Sequence, residues 1–266
     1  MPDVSSFQLV TWSLTDHVAT VTLNRPQKRN ALNHPAYAEL ETCLRHASES
    51  PDVRCVVVTG ADPAFCSGDD VVEIMAAPKP ATPPPRELTH RPTPAAMAAL
   101  ECTKPIVAAV NGAAIGWGME LAIYADIRLA SERAKFSEMF VKRGLVCDVG
   151  GFYRLPAIVG PAKAAELLFT GDVIDAAEAL RIGLVSELLA HEALLLRARE
   201  LASKIAANPP LAVAALKAGL QRTAYGDPRD IGAWAIAEIR RLMETKDHRE
   251  GVAAFLEKRE AVFRGE

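Results

Sequence analysis

Two carboxylates set among glycines are the residues of this chain best placed to do chemistry. Glu120 belongs to the stretch Lys104–Asp126, KPIVAAVNGAAIGWGMELAIYAD. That stretch opens with a short apolar run, Pro105 to Val110, of the length and β-branched content of a buried strand. Asn111-Gly112, Gly116 and Gly118 then allow a tight turn and a close backbone approach, and from Met119 the pattern is helical. A strand, a glycine-rich turn and a helix start leave backbone N–H groups unpaired and outward-facing, which suits phosphate or an oxyanion formed during reaction. Asp148 stands in a second such turn, GLVCDVGG (144–151). The plainer alternatives are a helix-start glutamate that favours the dipole and an aspartate that shapes its turn.

Other nucleophiles and ligands are poorly supported. Ser67 lies in FCSGDD, but GxSxG fails at Phe65 and no histidine has a partner spacing. Six histidines are scattered without HExxH, so a metal is not expected. Five cysteines (43, 55, 66, 102 and 147) have no CxxC or paired spacing. They read as reduced thiols in a cytoplasmic protein, with Cys66 and Cys147 as buried small residues.

The elements that must position the two carboxylates alternate. FQLVTWSL (7–14) and VATVTLN (18–24) form an N-terminal hairpin around Thr15-Asp16-His17. A basic loop, QKRNALN, leads to a helix over about 34–48, and CVVV marks a buried strand over 54–59. The loop at Gly68 feeds a short helix. Strand, helix and strand at this rhythm indicate an α/β arrangement with crossover helices. Residues 78–94 hold seven prolines in seventeen positions, which excludes a regular element and suits an exposed loop or a flap over the site. A short helix over about 95–101 leads back to the strand at 105. After Asp126, IRLAS is a further strand and AKFSEMF a strand or loop. From Phe152 onward helices dominate. A composition shift near residue 195 predicts a core over 1–194 and a helical oligomerisation domain over 195–266.

At 266 residues and half hydrophobic, the chain can bury a full core. A net charge of −3 without a dense basic block argues against nucleic acid as the main partner. No apolar run approaches a membrane span, and no secretion signal is legible in MPDVSSFQLVTWSL.

Four segments in order, NRPQKRNALN (24–33), TGADPAFCSGDD (59–70), KPIVAAVNGAAIGWGMELAIYADIRLAS (104–131) and FSEMFVKRGLVCDVGGFYRLPAIVG (136–160), together resemble the enoyl-CoA hydratase/isomerase, or crotonase, superfamily. The ending REGVAAFLEKREAVFRG is similar to that family's last helix. The resemblance implies a spiral of β-β-α units, a C-terminal helical trimerisation domain, and trimers or dimers of trimers. It implies a CoA thioester as substrate and no separate cofactor. An enolate formed from the thioester needs its oxygen stabilised as charge develops. By family position the donors are the N–H groups of Ser67 and Trp117. Trp117 stands where the family usually has a small residue, which narrows the acyl pocket. Arg25, Lys28, Arg29, Ala31, Ser67, Gly68, Asp69 and Asp70 are implied to lie along the CoA, with Lys258 reaching a neighbouring subunit's CoA.

The resemblance also divides the possible reactions. Hydratases of this family hold water between two glutamates. Glu120 matches the first, but the second position is Phe140, which can neither orient water nor move a proton. Asp148 falls where some isomerases of the family carry a proton-shuttling aspartate and a dehalogenase a nucleophile. Double-bond isomerisation of an enoyl-CoA through Glu120 and Asp148 is therefore preferred. Hydration, with Asp148 standing in for the missing glutamate, comes second. Hydrolysis or carbon–carbon cleavage follows, and a non-catalytic binding protein on the same fold is the rival from another class.

Overall fold

The computed structural model describes residues 3–76, 93–223 and 228–266. All but the last two residues of the proline-rich segment lie outside them, and with them the expectation of a flap. The hairpin forms from β1 (Val10–Thr15) and β2 (Val18–Leu23), paired antiparallel across Asp16 and His17, both at positive φ. Helix α1 (His34–Glu49) follows, started by Asn33, whose side chain accepts from the Ala36 N–H. The chain continues through β3 (Cys55–Gly60), β4 (Ala64–Cys66), α2 (Pro94–Glu101), β5 (Ile106–Val110), β6 (Ala113–Ile115), α3 (Trp117–Tyr124), β7 (Ile127–Ser131) and β8 (Lys135–Ser137). Then come α4 (Leu155–Val159), α5 (Pro161–Thr170), β9 (Ile174–Asp175), α6 (Ala176–Arg181), β10 (Glu187–Leu189), α7 (His191–Ala206), α8 (Pro210–Thr223), α9 (Pro228–Met243) and α10 (Lys246–Glu257).

The strands fall into two sheets in a regular way. One sheet runs β1-β2-β3-β5-β7-β10 and the other β4-β6-β8-β9. Each of the pairs β3/β4, β5/β6 and β7/β8 therefore gives its first strand to one sheet and its second to the other. That is the spiral of β-β-α turns expected from the sequence. The pairings β2–β3, β3–β5, β5–β7 and β7–β10 are parallel. β3 and β5 are buried on both faces, which is why they read as continuous apolar runs. A Cβ on Gly118 would collide with the Cys66 carbonyl, so the glycine lets α3 start directly against β4.

The boundary expected at residue 195 is corrected by the packing. Residue 195 lies inside α7, whose Leu194, Ala198, Ala202 and Ala206 cover one face of the large sheet against Val18, Val57, Val107 and Leu129. The helix has a small-residue stripe on one face and a charged opposite face, so its composition resembled the tail. The helices that follow it, from α8 on, keep large apolar side chains exposed, among them Leu216, Leu220, Phe255 and Leu256. They are tied to the core by polar groups. The buried Lys217 ammonium donates to the Lys104 carbonyl and meets Asp126, both at 2.8 Å, and Arg54 donates to the Phe263 carbonyl at 2.7 Å.

Candidate active site

Three chain segments meet at the start of α3. The first two are latched together by polar side chains before any ligand arrives. The Asn30 amide donates to the carbonyls of Ala61 and Ala64 at 2.7 and 2.6 Å and accepts from the Arg25 N–H. The Arg25 guanidinium is buried and donates to the Ala31 carbonyl, Asp70 and Glu73 at 2.6, 3.1 and 2.9 Å. Asp70 also accepts from the N–H groups of Val72 and Glu73, capping the turn over 71–75. Three residues expected along the CoA have partners of their own within the chain. Arg25, Ala31 and Asp70 are committed to holding the loop, because a buried guanidinium needs its own carboxylates and carbonyls. Lys28 and Arg29 of the same loop are exposed and carry no salt bridge among the described residues.

The loop after β4 presents different backbone groups from those expected. The Ser67 N–H donates to the Arg29 carbonyl at 3.1 Å and so is not available to an oxyanion. Its hydroxyl faces the Lys28 carbonyl. A parallel bridge to Leu32 uses the Gly68 carbonyl and the Asp70 N–H. Groups along an extended chain alternate in direction, which turns the Asp69 N–H away from Leu32. Among the described residues no hydrogen bond takes the N–H of Asp69 or that of Trp117. Trp117 is the first residue of α3, where no intrahelical acceptor exists. Its nitrogen lies 3.3 Å from where a Gly68 Cβ would sit. Two unpaired N–H groups thus lie on adjoining segments, with Asp69 in place of the expected Ser67 as the donor from the loop.

A cavity of about 680 Å³ opens in front of them, lined among others by His34, Tyr37, Ile74, Trp117, Phe140 and Asp148. The Trp117 indole is nearly buried and meets the Tyr37 ring edge-on at 4.8 Å. Tyr37 in turn donates to Asp69 at 2.5 Å. Phe140, on the turn after β8, also lines the cavity. Trp117 and Phe140 together put two aromatic side chains into the cavity wall.

Asp148 is brought to the same place. One carboxylate oxygen accepts from the Trp117 indole at 3.2 Å and the Thr93 hydroxyl at 3.1 Å, the other from the Val149 N–H at 2.7 Å. The indole that replaces a small residue therefore orients the aspartate. Glu120 is 0% exposed and sits behind the cavity wall, beside the lining residues Cys147 and Asp148. Both its oxygens accept from the Gly151 N–H, at 3.0 and 3.2 Å, and the Tyr124 hydroxyl turns to it. A Cβ at Gly150 would strike this carboxylate, so the DVGG turn is glycine-rich because Glu120 lies against its backbone. Burial is the largest influence on Glu120 and raises its pKa to about 7, with the Asp148 charge adding to the rise. The thiols of Cys66 and Cys147 are pushed up to about 12 by burial, which fits inert small side chains.

One carboxyl was missed by sequence reasoning. Glu138, between β8 and the turn carrying Phe140, is 1% exposed and lies near Glu120. The available signal was weak: a single acid in AKFSEMF, past the end of a three-residue strand, where alternation no longer says which way a side chain points. Lys258 caps the end of α10 in the left-handed region and is exposed. Within one chain it is not among the residues lining this cavity. No helix among the described residues is long and apolar enough to cross a membrane.

The chain is similar to known proteins over nearly its whole length. A family model described as enoyl-CoA hydratase/isomerase matches residues 14–266. The chain is 37% identical over 269 residues to (E)-benzylidenesuccinyl-CoA hydratase of Thauera aromatica, covering 96% of this chain and 99% of that one. It is 34% identical over 250 residues to 1,2-epoxyphenylacetyl-CoA isomerase of Escherichia coli K12, covering 93% and 95%. Among solved structures, an enoyl-CoA hydratase from Bacillus anthracis superposes with a TM-score of 0.89 at 32% identity, over 97% of this chain and 100% of the other.

Proposed function

Because this chain belongs to the enoyl-CoA hydratase/isomerase family, we propose that it moves the double bond of an enoyl-CoA thioester through an oxyanion-stabilised enolate. The observation that carries this reading is the pairing of Asp148, in the cavity wall, with a proton-holding Glu120 behind it, while Phe140 occupies the place of the second water-holding glutamate. Asp148 takes a proton from C2 of a 3-enoyl thioester. The C–H electron pair moves toward the thioester, and its oxygen gains charge facing the N–H groups of Asp69 and Trp117. Preorganised donors of this kind typically supply roughly 3 kcal/mol each. The dienolate then takes the proton of Glu120 at C4, leaving the double bond between C2 and C3. One proton leaves C2 and one arrives at C4, and exchange with water resets the two carboxyls. The CoA runs along the loop bearing Lys28 and Arg29, whose cations face solvent and can meet phosphate.

Hydration is the second reading, favoured by the relatives named as hydratases. Incubation with crotonyl-CoA and, separately, a 3-enoyl-CoA in deuterated water, followed by mass spectrometry, decides between them. The expected result is conversion of the 3-enoyl to the 2-enoyl thioester with solvent deuterium at C4. Gain of water by crotonyl-CoA without that conversion replaces isomerisation by hydration.

The assembly proposed is a trimer or a dimer of trimers. Its support is the apolar surface that α8 to α10 leave uncovered in one chain, including Leu216, Ile239, Phe255 (82% exposed) and Leu256 (73%). Sedimentation at micromolar concentration is expected to give at least a trimer, and a clean monomer overturns the assignment.

A further inference from the structure

Glu138 stands apart from every other acid among the described residues. Both of its carboxyl oxygens are buried, and neither has a hydrogen-bond partner. The residue before it, Ser137, accepts the Gly116 N–H at 2.8 Å through its carbonyl, and the Glu120 N–H donates to the Gly116 carbonyl at 3.0 Å. The end of β8 and the first turn of α3 are thus stitched together with the two glutamates on either side of the join. Two buried carboxyls that feel each other's charge do not both ionise. Their surroundings decide which one keeps the proton. Glu120 has the Gly151 N–H on both oxygens and the Tyr124 hydroxyl beside it, whereas Glu138 has nothing to stabilise a charge. Among the described residues, the titratable groups that act on the pair are Tyr124 from α3 and Cys147 and Asp148 from the glycine turn, and none of these is cationic. Burial first, then the Glu120 charge, drives Glu138 in the same direction.

We propose that Glu138 is a positioning residue for Glu120: a carboxylic acid that keeps its proton and, in that neutral form, seals the inner side of Glu120 from water. Negative charge in the pair then falls only on Glu120, the member with donors. Passing the Glu138 proton on to Glu120 is disfavoured, since it would strand a charge with no partner. The side chain acts by shape and neutrality, and it takes over part of the space around Glu120 without supplying the proton transfer that Phe140 lacks. The functional consequence rests on the isomerase reading, but the protonation states do not.

Infrared difference spectroscopy of the protonated-carboxyl stretch, recorded against pH, tests the inference without substrate. Wild type is expected to show one carboxylic acid that persists well above neutrality and a second that titrates near it. Glu138→Gln, a neutral side chain of the same shape, is expected to lose the persistent band and leave the titrating one in place. Glu138→Ala, which admits water, is expected to move the titrating band down by about one pH unit or more, toward an ordinary glutamate. Where 3-enoyl-CoA is turned over, the pH profile should follow the band in each variant. Absence of a persistent band, its survival in Glu138→Gln, or an unmoved titration in Glu138→Ala overturns the inference. Should Glu138→Ala fail to fold, the wild-type and Glu138→Gln spectra alone decide. If the bands behave as expected but no enoyl-CoA reacts, the isomerase reading fails and the role of Glu138 as neutral partner stands.

Discussion

Glu120→Gln is expected to lower kcat for double-bond movement by about a thousandfold, with little change in KM, in a protein that still folds. General acid catalysis by a positioned side chain contributes typically 10²–10⁴-fold, and the amide has no proton of suitable acidity to give. The wild-type pH profile carries the same signature. Glu120 must hold its proton to act, and its pKa is raised to about 7 mainly by burial, so kcat/KM is expected to fall as pH rises above neutrality. Loss of activity on the acid side only would assign Glu120 the opposite role, that of base. Stability follows from the same shift. A group whose folded pKa is raised binds more protons in the folded state between its unfolded value near 4.5 and about 7. The favourable contribution is full below that window and is lost as pH rises through it. Wild type is therefore expected to lose roughly 3 kcal/mol from this group between those limits, as an order of magnitude. Urea unfolding of Glu120→Gln across the window should be nearly flat by comparison.

Asp148→Asn is expected to reduce kcat by about a hundredfold or more, because the side chain that lines the cavity keeps its size but no longer takes a proton. Trp117→Phe separates orientation from chemistry. It preserves the ring that packs on Tyr37 and removes the indole N–H that Asp148 accepts. A loss of about tenfold in kcat, corresponding to ~1.4 kcal/mol, is expected from the freed aspartate. The double variant should be no slower than Asp148→Asn alone, since the indole acts through the carboxylate. An additive loss would mean that Trp117 serves the site in another way, and full activity in Asp148→Asn would remove the aspartate from the reaction.

The limits of the sequence at this site are visible in individual residues. Arg25 and Lys28 are both cations in one basic loop, and nothing local distinguishes them. Only the arrival of Asp70 and Glu73 from a segment more than forty residues away buries the first and leaves the second in solvent. Ser67 and Asp69 pose the same problem on the backbone. Which N–H is free depends on the bridge between Leu32 and the loop, a contact between strangers in sequence.

What the sequence determined by itself was the class of fold and the place of the chemistry. Apolar runs of strand length and glycines where backbones had to approach put Glu120 at a helix start and Asp148 in a glycine turn, and the family likeness of four ordered motifs added Trp117 and Phe140 as pocket residues, both of which line the cavity. Those features are local, since periodicity and turn chemistry depend on neighbours along the chain. The tertiary structure decided everything that depends on company: the commitment of Arg25 and Asp70 to a latch, the membership of α7 in the core, the choice of Asp69 as the free donor, and the burial of Glu138 beside Glu120 without a partner. Charge state, hydrogen-bond satisfaction and burial are properties of groups brought together from distant segments, and a single line of residues does not contain them.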